Sequence, residues 1–492
     1  METLLTASAF EIAARVRAGS ISSVDVVDLH IARIRQVNPL VNALVADRFD
    51  AAREEARAAD ARLSGARDRS SLPPLLGVPC TIKEFLAVDG MPQTGGWLPR
   101  RDHRATGDST IVRRLREAGA IVLGVTNVPE LGMWMETNNK IYGRTSNPYD
   151  LGRTAGGSSG GEAAIIAAGG SPFGIGSDIG GSIRIPAAFC GIAGHKPTGR
   201  LVPNTGHWPR PPAGTGYMVS GPMARRVSDL MPLLRLIAGP DDADDVVKPW
   251  ALGDPGAVRL SDVAVFPVLS NGWARIHVRM IDAMEAAAEA LEAQGARVDR
   301  SRFPRFRDVF QVWSAMLSAA AEETFAEMAG GGTPVALGRE LLRFPFGKSN
   351  HTGPVLVLAA IETMAQRFTG RYEELGRRGL AMQAELEDIL GDDGVLLHPP
   401  YTRPAPHHHS ALLRTPFDFV CTALFNVLEL PATVVPVGFD DRGLPVSVQV
   451  VARRGNDHLA IACAQAIERS TGGWICANPV PRRPPLARFL HV

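Results

Sequence analysis

Residues 154–186 read TAGGSSGGEAAIIAAGGSPFGIGSDIGGSIRIP, with ten glycines in this one stretch. A short apolar run, EAAIIAA, lies between two glycine–serine clusters. Small residues at such density let backbones approach closely, and they let successive amides turn toward one point because no Cβ blocks the approach. A phosphate-binding loop needs GxGxxG after a strand or GxxxxGK[ST], and neither occurs here. Gly156-Gly157-Ser158-Ser159-Gly160 satisfies G-x-S-x-G, but a nucleophile elbow needs a hydrophobic strand in front of it. The preceding NPYDLGRTA is polar. What remains is an oxyanion nest in Asp178-Ile179-Gly180-Gly181-Ser182, where inward amides stabilise a developing charge by about 3 kcal/mol per donor. A serine beside such a nest is the natural nucleophile.

A serine hydroxyl needs a base. No histidine lies near either cluster in sequence except His195. Of 52 basic residues only five are lysines: Lys83, Lys140, Lys196, Lys248 and Lys348. Lys83 sits in the apolar GVPCTIKEFL, where desolvation disfavours its charged form and lets it accept a proton. Arginine cannot do this. The same lysine could instead pair with a carboxylate such as Glu84, and the local sequence leaves the two readings open.

Around this core the chain alternates helix and strand patterns. Residues 9–64 read as helical, with ISS capping the second helix. LGVPCTIKEFLAV (76–88) reads as a buried strand entering a loop. STIVRRLREAG then AIVLGV forms one helix–strand unit, and SDVAVFPV, ARIHVRMIDAMEAAAEALEAQG and ARVDR form a second. Residues 301–390 are mostly helical, and VLLHPPY, PATVVPVGF and PVSVQVVAR return to strands before a helix at HLAIACAQAIERSTGG. The pattern specifies an α/β fold with a largely parallel or mixed sheet.

The net charge of +1 argues against a nucleic-acid or membrane-surface partner. Cys80, Cys190, Cys421, Cys463 and Cys476 contain no CxxC pair, so they read as reduced, mostly buried thiols of a cytoplasmic protein, with no metal site. Adjacent histidines in APHHHS (405–410) lack ligand spacing and read as a solvated loop. METLLTASAFEIAARVRAGS has no basic leader pattern, and no run of about 18 apolar residues suggests a membrane span.

GGSSGGE (156–162), GSDIGGSIRIPAAFCGIAGHKPTGR (176–200), GVPCTIKE and TALFNVLELPATVVPVGFDDRGLPVSVQVVA together resemble the amidase signature family. The wording of 156–184 is most similar to its fatty acid amide hydrolase branch. The resemblance runs from about residue 10 to 475 and is weakest over 300–395. It implies one domain over 1–492, built on a central mixed β-sheet covered on both faces by helices. Its parts would be N-terminal helices (1–65), a signature core (66–250), a variable, mostly helical substrate region (255–395) and C-terminal core strands (396–475). It also implies a Ser–cis-Ser–Lys triad of Ser182, Ser158 and Lys83. The amides of Ile179, Gly180, Gly181 and Ser182 would form the oxyanion hole, and Gly132, Met133 and Trp134 would line the acyl pocket. No cofactor is implied.

The expected activity is hydrolysis of a small-molecule amide through a seryl acyl-enzyme, with an apolar acyl or aryl amide as substrate and a homodimer as the assembly. Two alternatives are the glutaminase subunit of a glutamyl-tRNA amidotransferase and a non-catalytic binding protein of the same fold. Ser159-Gly160-Gly161-Glu162 fits a capping box, which would occupy Ser159 and leave Ser158 for chemistry. Asp178 and Arg184 are expected to pair beside the nest. Lys196 and Cys190 read as structural, and the Phe-, Trp- and Met-rich helix at 306–325 as either channel lining or core.

Overall fold

The computed structural model describes residues 2–269, 274–301, 306, 308–365, 372–411 and 417–480. Its strands, in chain order, are β1 (Leu44–Asp47), β2 (Pro79–Lys83), β3 (Ile121–Thr126), β4 (Asn138–Asn139), β5 (Gly143–Arg144), β6 (Phe173–Asp178), β7 (Ala193–Lys196), β8 (Val219–Ala224), β9 (Ala264–Pro267), β10 (Arg297–Val298), β11 (Gly394–His398), β12 (Ala432–Phe439) and β13 (Pro445–Ala452). Eleven of them form one sheet in the order β1-β3-β2-β6-β8-β7-β12-β13-β11-β9-β10, and β4 and β5 form a separate hairpin. The sheet is mixed: β2 runs parallel to β3 and β6, while β6 pairs antiparallel with β8.

Strands in the middle of such a sheet are covered on both faces and read as continuous apolar runs. Every residue of β2, β3 and β6 is buried. Successive side chains of a strand point to opposite faces. Accordingly Ile121 and Leu123 join a core with Ile31, Ile34, Phe49 and Ile165. Val122 joins the opposite core with Ile111, Leu115, Leu234, Met284 and Ile461. A third apolar cluster, around Val309, Val312, Met316, Leu386 and Phe425, forms under the helices that follow β10.

The N-terminal helices form as their caps specify. Ser8 and Glu11 close a capping box on Ala9–Ala18, and Ser22 accepts from the Asp25 amide at the start of Ser23–Val41. The stretch 9–64 is not helical throughout, however. Asn42 takes a left-handed conformation at the end of the second helix, and β1 then pairs antiparallel with β3. Four residues carry too little pattern to be told from a helix connection.

The register of β2 against β6 positions the site. Thr81 lies opposite Gly174 and Ile82 opposite Ile175, so the parallel strands end together at Lys83 and Ser177-Asp178. Ligands of α/β sheets bind at the carboxyl ends of parallel strands. Between the two glycine clusters runs the helix Gly160–Ala167, buried at all eight positions. Its close packing depends on glycine: a Cβ on Gly161 would lie 2.4 Å from the Asn127 amide nitrogen. Among the described residues, no helix is long and apolar enough to cross a membrane.

Candidate active site

Lys83 is fully buried at the end of β2, and its Nζ lies 2.7 Å from Ser158 Oγ. It also lies 3.0 Å from Ser177 Oγ and 3.1 Å from the Ser177 carbonyl. Burial lowers the Lys83 ammonium to about pH 7, against the opposing charges of Asp178 and Glu162. Its partner is therefore a hydroxyl and not the neighbouring Glu84. That carboxyl turns away to Thr94 Oγ1, the Gly95 amide and Tyr142.

Ser158 follows a cis Gly157–Ser158 peptide bond and is 3% exposed. The Ser159 N–H donates to the Ser182 carbonyl at 3.1 Å, which holds the segment carrying Ser158 against Ser182. Ile179, Gly180 and Ser182 are only half-buried, in a neighbourhood otherwise closed to solvent. These three positions are therefore within reach of solvent, whereas Lys83 is fully buried.

Three sequence expectations need correction. Ser159 does not cap the helix through its side chain. Its hydroxyl sits 3.4 Å from both the Ser177 carbonyl and the Ser177 amide, and Glu162 turns inward to bond Thr81 and Thr126. Second, the Gly181 N–H donates to Asp178 Oδ1 at 2.7 Å. It is therefore engaged, which leaves the amides of Ile179, Gly180 and Ser182 from the expected set of four. Gly181 still matters to the shape, since at φ +122° a Cβ would sit 2.1 Å from Thr422 Oγ1. Third, the histidine loop is not solvated throughout: His408 Nδ1 meets Glu136 Oε1 at 2.6 Å and is nearly buried.

The expected Asp178–Arg184 pair forms, completely buried, and it organises the nest from behind. Arg184 donates to both Asp178 oxygens at 3.0 Å and also reaches Asn426 and Gln449. Asp178 in turn accepts from the amides of Gly181 and Ile183. Burial alone would raise the Asp178 carboxyl, but the charge and hydrogen bonds of Arg184 hold it well below the usual carboxylate range. Replacing Arg184 by methionine leaves that carboxylate buried and unpaired. The expected loss is about 3–5 kcal/mol of unfolding free energy, read from urea denaturation at pH 7. Lys196 donates to the Pro197 carbonyl at 2.8 Å, and burial pushes the Cys190 thiol far up, so both are structural.

Several apolar residues lie close to Ser158 and to Ile179-Gly180. A Cβ on Gly132 would lie 3.9 Å from Ser158 Oγ, so this glycine abuts the Ser158 hydroxyl. Met133 and Trp134 follow it half-buried, and Trp134 packs against a cluster of Met135, Ile185, Phe189 and Tyr401. The aromatic helix, observed as Val309–Ala320, is both core and lining. Val309, Val312 and Met316 are buried in the core beneath it. Trp313, packed against the same cluster, donates to the Ile179 carbonyl at 3.3 Å and lies 3.5 Å from where a Gly180 Cβ would be. Phe310, Phe417 and Phe419 extend this wall, with Trp313 and Phe419 edge to face at 5.1 Å. Within the 306–325 stretch, residue 307 lies outside the described residues.

Sequence reading missed Ser177, His207, Thr422 and Asn426. Ser177 carried a weak signal, a hydroxyl at the end of the apolar strand FGIGSD. His207 carried none, because it reaches the site from a proline-rich loop 25 residues beyond Ser182.

A lysine-bearing strand thus ends beside two glycine–serine clusters, and the comparisons with known proteins place the chain among amide-hydrolysing enzymes. The Amidase family model matches residues 25–461, and the chain belongs to that family. It is 42% identical over 487 residues to fatty-acid amide hydrolase 2-B of Danio rerio, covering 96% of this chain and 91% of that one. It is 34% identical to an acylamidase of Rhodococcus erythropolis, covering 94% of each. Among solved structures, a bacterial aryl acylamidase of the amidase signature family superposes with a TM-score of 0.78 at 26% identity, covering 94% of this chain and 96% of that one.

Proposed function

We propose that this amidase works through Ser182 as nucleophile, Ser158 as proton bridge and Lys83 as base. The observation that carries the reading is the 2.7 Å contact between the buried Lys83 amine and Ser158 Oγ. Neutral Lys83 takes the Ser158 proton as Ser158 takes the Ser182 proton. Ser182 Oγ then bonds to the amide carbonyl carbon, and the amides of Ile179, Gly180 and Ser182 receive the oxyanion. The proton returns through Ser158 to the leaving nitrogen as the C–N bond breaks. Water repeats the relay on the acyl-enzyme, releasing the carboxylic acid and restoring Ser182.

The substrate class we favour is an amide with an apolar or aryl acyl group. The aromatic wall of Phe310, Trp313, Phe417 and Phe419 supports it, as do the relatives named for fatty-acid amides and aryl acylamides. The test is a panel of amides of increasing acyl length and of anilides, with glutamine as a polar control, read as kcat/KM. Each buried methylene is worth about 0.8 kcal/mol, so a real apolar pocket raises kcat/KM about three- to fourfold per added methylene until it is filled. Turnover that favours glutamine, or ignores acyl length, contradicts the substrate reading.

A further inference from the structure

His207 is 7% exposed and has no place in the relay above. Its loop is fastened to the exit of β2. The Trp208 amide donates to the Phe85 carbonyl, the Ala87 amide donates to the Gly206 carbonyl, and Gln93 Nε2 donates to the carbonyls of Phe85 and Gly206. The ring stands edge-on to Phe85 with centroids 5.5 Å apart. Its Nδ1 lies 2.7 Å from the Pro209 carbonyl, and its Nε2 lies 2.9 Å from Ser177 Oγ.

The protons of this chain of contacts follow from which atoms can donate. A carbonyl oxygen only accepts, so the Pro209 contact places the ring proton on Nδ1. Burial lowers the imidazolium to about pH 3, so the ring is neutral and Nε2 is a bare acceptor. Ser177 Oγ–H must then donate to His207, which leaves its oxygen lone pairs facing Lys83 Nζ at 3.0 Å. The Ser177 carbonyl at 3.1 Å is a second acceptor. Neutral Lys83 has two N–H bonds and one lone pair, and both N–H bonds find acceptors on Ser177. The lone pair is left for the remaining neighbour, Ser158 Oγ.

We infer that His207 is a positioning residue that acts through Ser177 to turn the lone pair of Lys83 toward Ser158. The inference rests on the proposed triad. If His207 loses its acceptor, the Ser177 hydroxyl is free to donate to that lone pair and compete with Ser158. Ser177 Oγ also becomes a poorer acceptor once it no longer donates onward. The protonated form of Lys83 is then less well held. The other groups around Lys83 are the carboxyls of Glu162 and Asp178 and the Phe85 ring at 4.8 Å, and the substitutions below leave all three in place.

The test is a pH–rate series on the full-length enzyme with its best amide. His207→Phe, which keeps a ring but not the acceptor, should lower kcat on the order of 10- to 100-fold. It should also move the acid limb of kcat/KM down by roughly half a pH unit or more. His207→Gln offers an amide oxygen near the Nε2 position and should restore most of both. Because the effect passes through Ser177, His207→Phe should add little to Ser177→Ala in a double-mutant cycle. A uniform loss with an unmoved acid limb, no recovery in the glutamine variant, or additive losses in the cycle overturns the inference. Ser182→Ala measured in parallel separates the two readings. If it keeps turnover, the triad itself fails; if it is inactive while His207→Phe keeps the wild-type profile, only the role of His207 fails.

Discussion

Ser182→Ala should cost about 10⁴-fold or more in kcat toward any amide substrate, by analogy with removal of other activated serine nucleophiles. The substitution deletes one oxygen from a half-buried position. Its amide and carbonyl contacts are retained, including the Ser159 N–H to Ser182 carbonyl bond. The variant should therefore fold and bind substrate with a near-normal dissociation constant, and the loss should fall on kcat. Residual hydrolysis should then rest on the proposed oxyanion amides of Ile179, Gly180 and Ser182 alone. Turnover within tenfold of wild type would mean that another group attacks the carbonyl.

Lys83→Ala should cost on the order of 10³-fold, since general-base catalysis supplies about 10²–10⁴. The loss should not add to that of Ser182→Ala, because the two act on one proton path. Lys83→Arg should be as inactive as the alanine variant, because a guanidinium stays protonated. The wild-type enzyme should show a matching pH dependence. Lys83 is lowered to about 7 in the folded protein, and in the proposed relay the neutral form is the active one. Activity must therefore rise with pH through about 7 and level off above it, falling about tenfold per unit on the acid side. Steady-state kinetics between acid and mildly alkaline pH reads this directly. A flat profile in kcat/KM would remove Lys83 from the role of base.

How much of this was legible in the chain depends on where each signal resides. β2 and β3 are apolar runs covered on both faces, and one strand pattern suffices to place them. β1 escaped because four residues between two helices carry no period of their own. The nest reading arose because two adjacent glycines before a serine let successive amides turn toward one point, and Lys83 drew notice because lysine is rare in this arginine-rich chain. The occupied Gly181 amide was not legible, since it depends on Asp178 turning back three residues under the pull of Arg184. The Ser159–Glu162 spacing fits a capping box in sequence. It failed in the fold because Thr81 and Thr126 on the neighbouring strands compete for the same carboxyl. His207 and Thr422 come to the site from distant segments, and only the assembled sheet places them there.

The most direct test of the proposed centre is active-site labelling. A serine-directed fluorophosphonate is reacted with the folded enzyme, and the modified peptide is identified by mass spectrometry. One adduct is expected, on Ser182, that forms faster as pH rises through about 7 and that Lys83→Ala suppresses. An adduct on Ser158 or Ser159, or labelling of Ser182 that Lys83→Ala leaves unchanged, would contradict it.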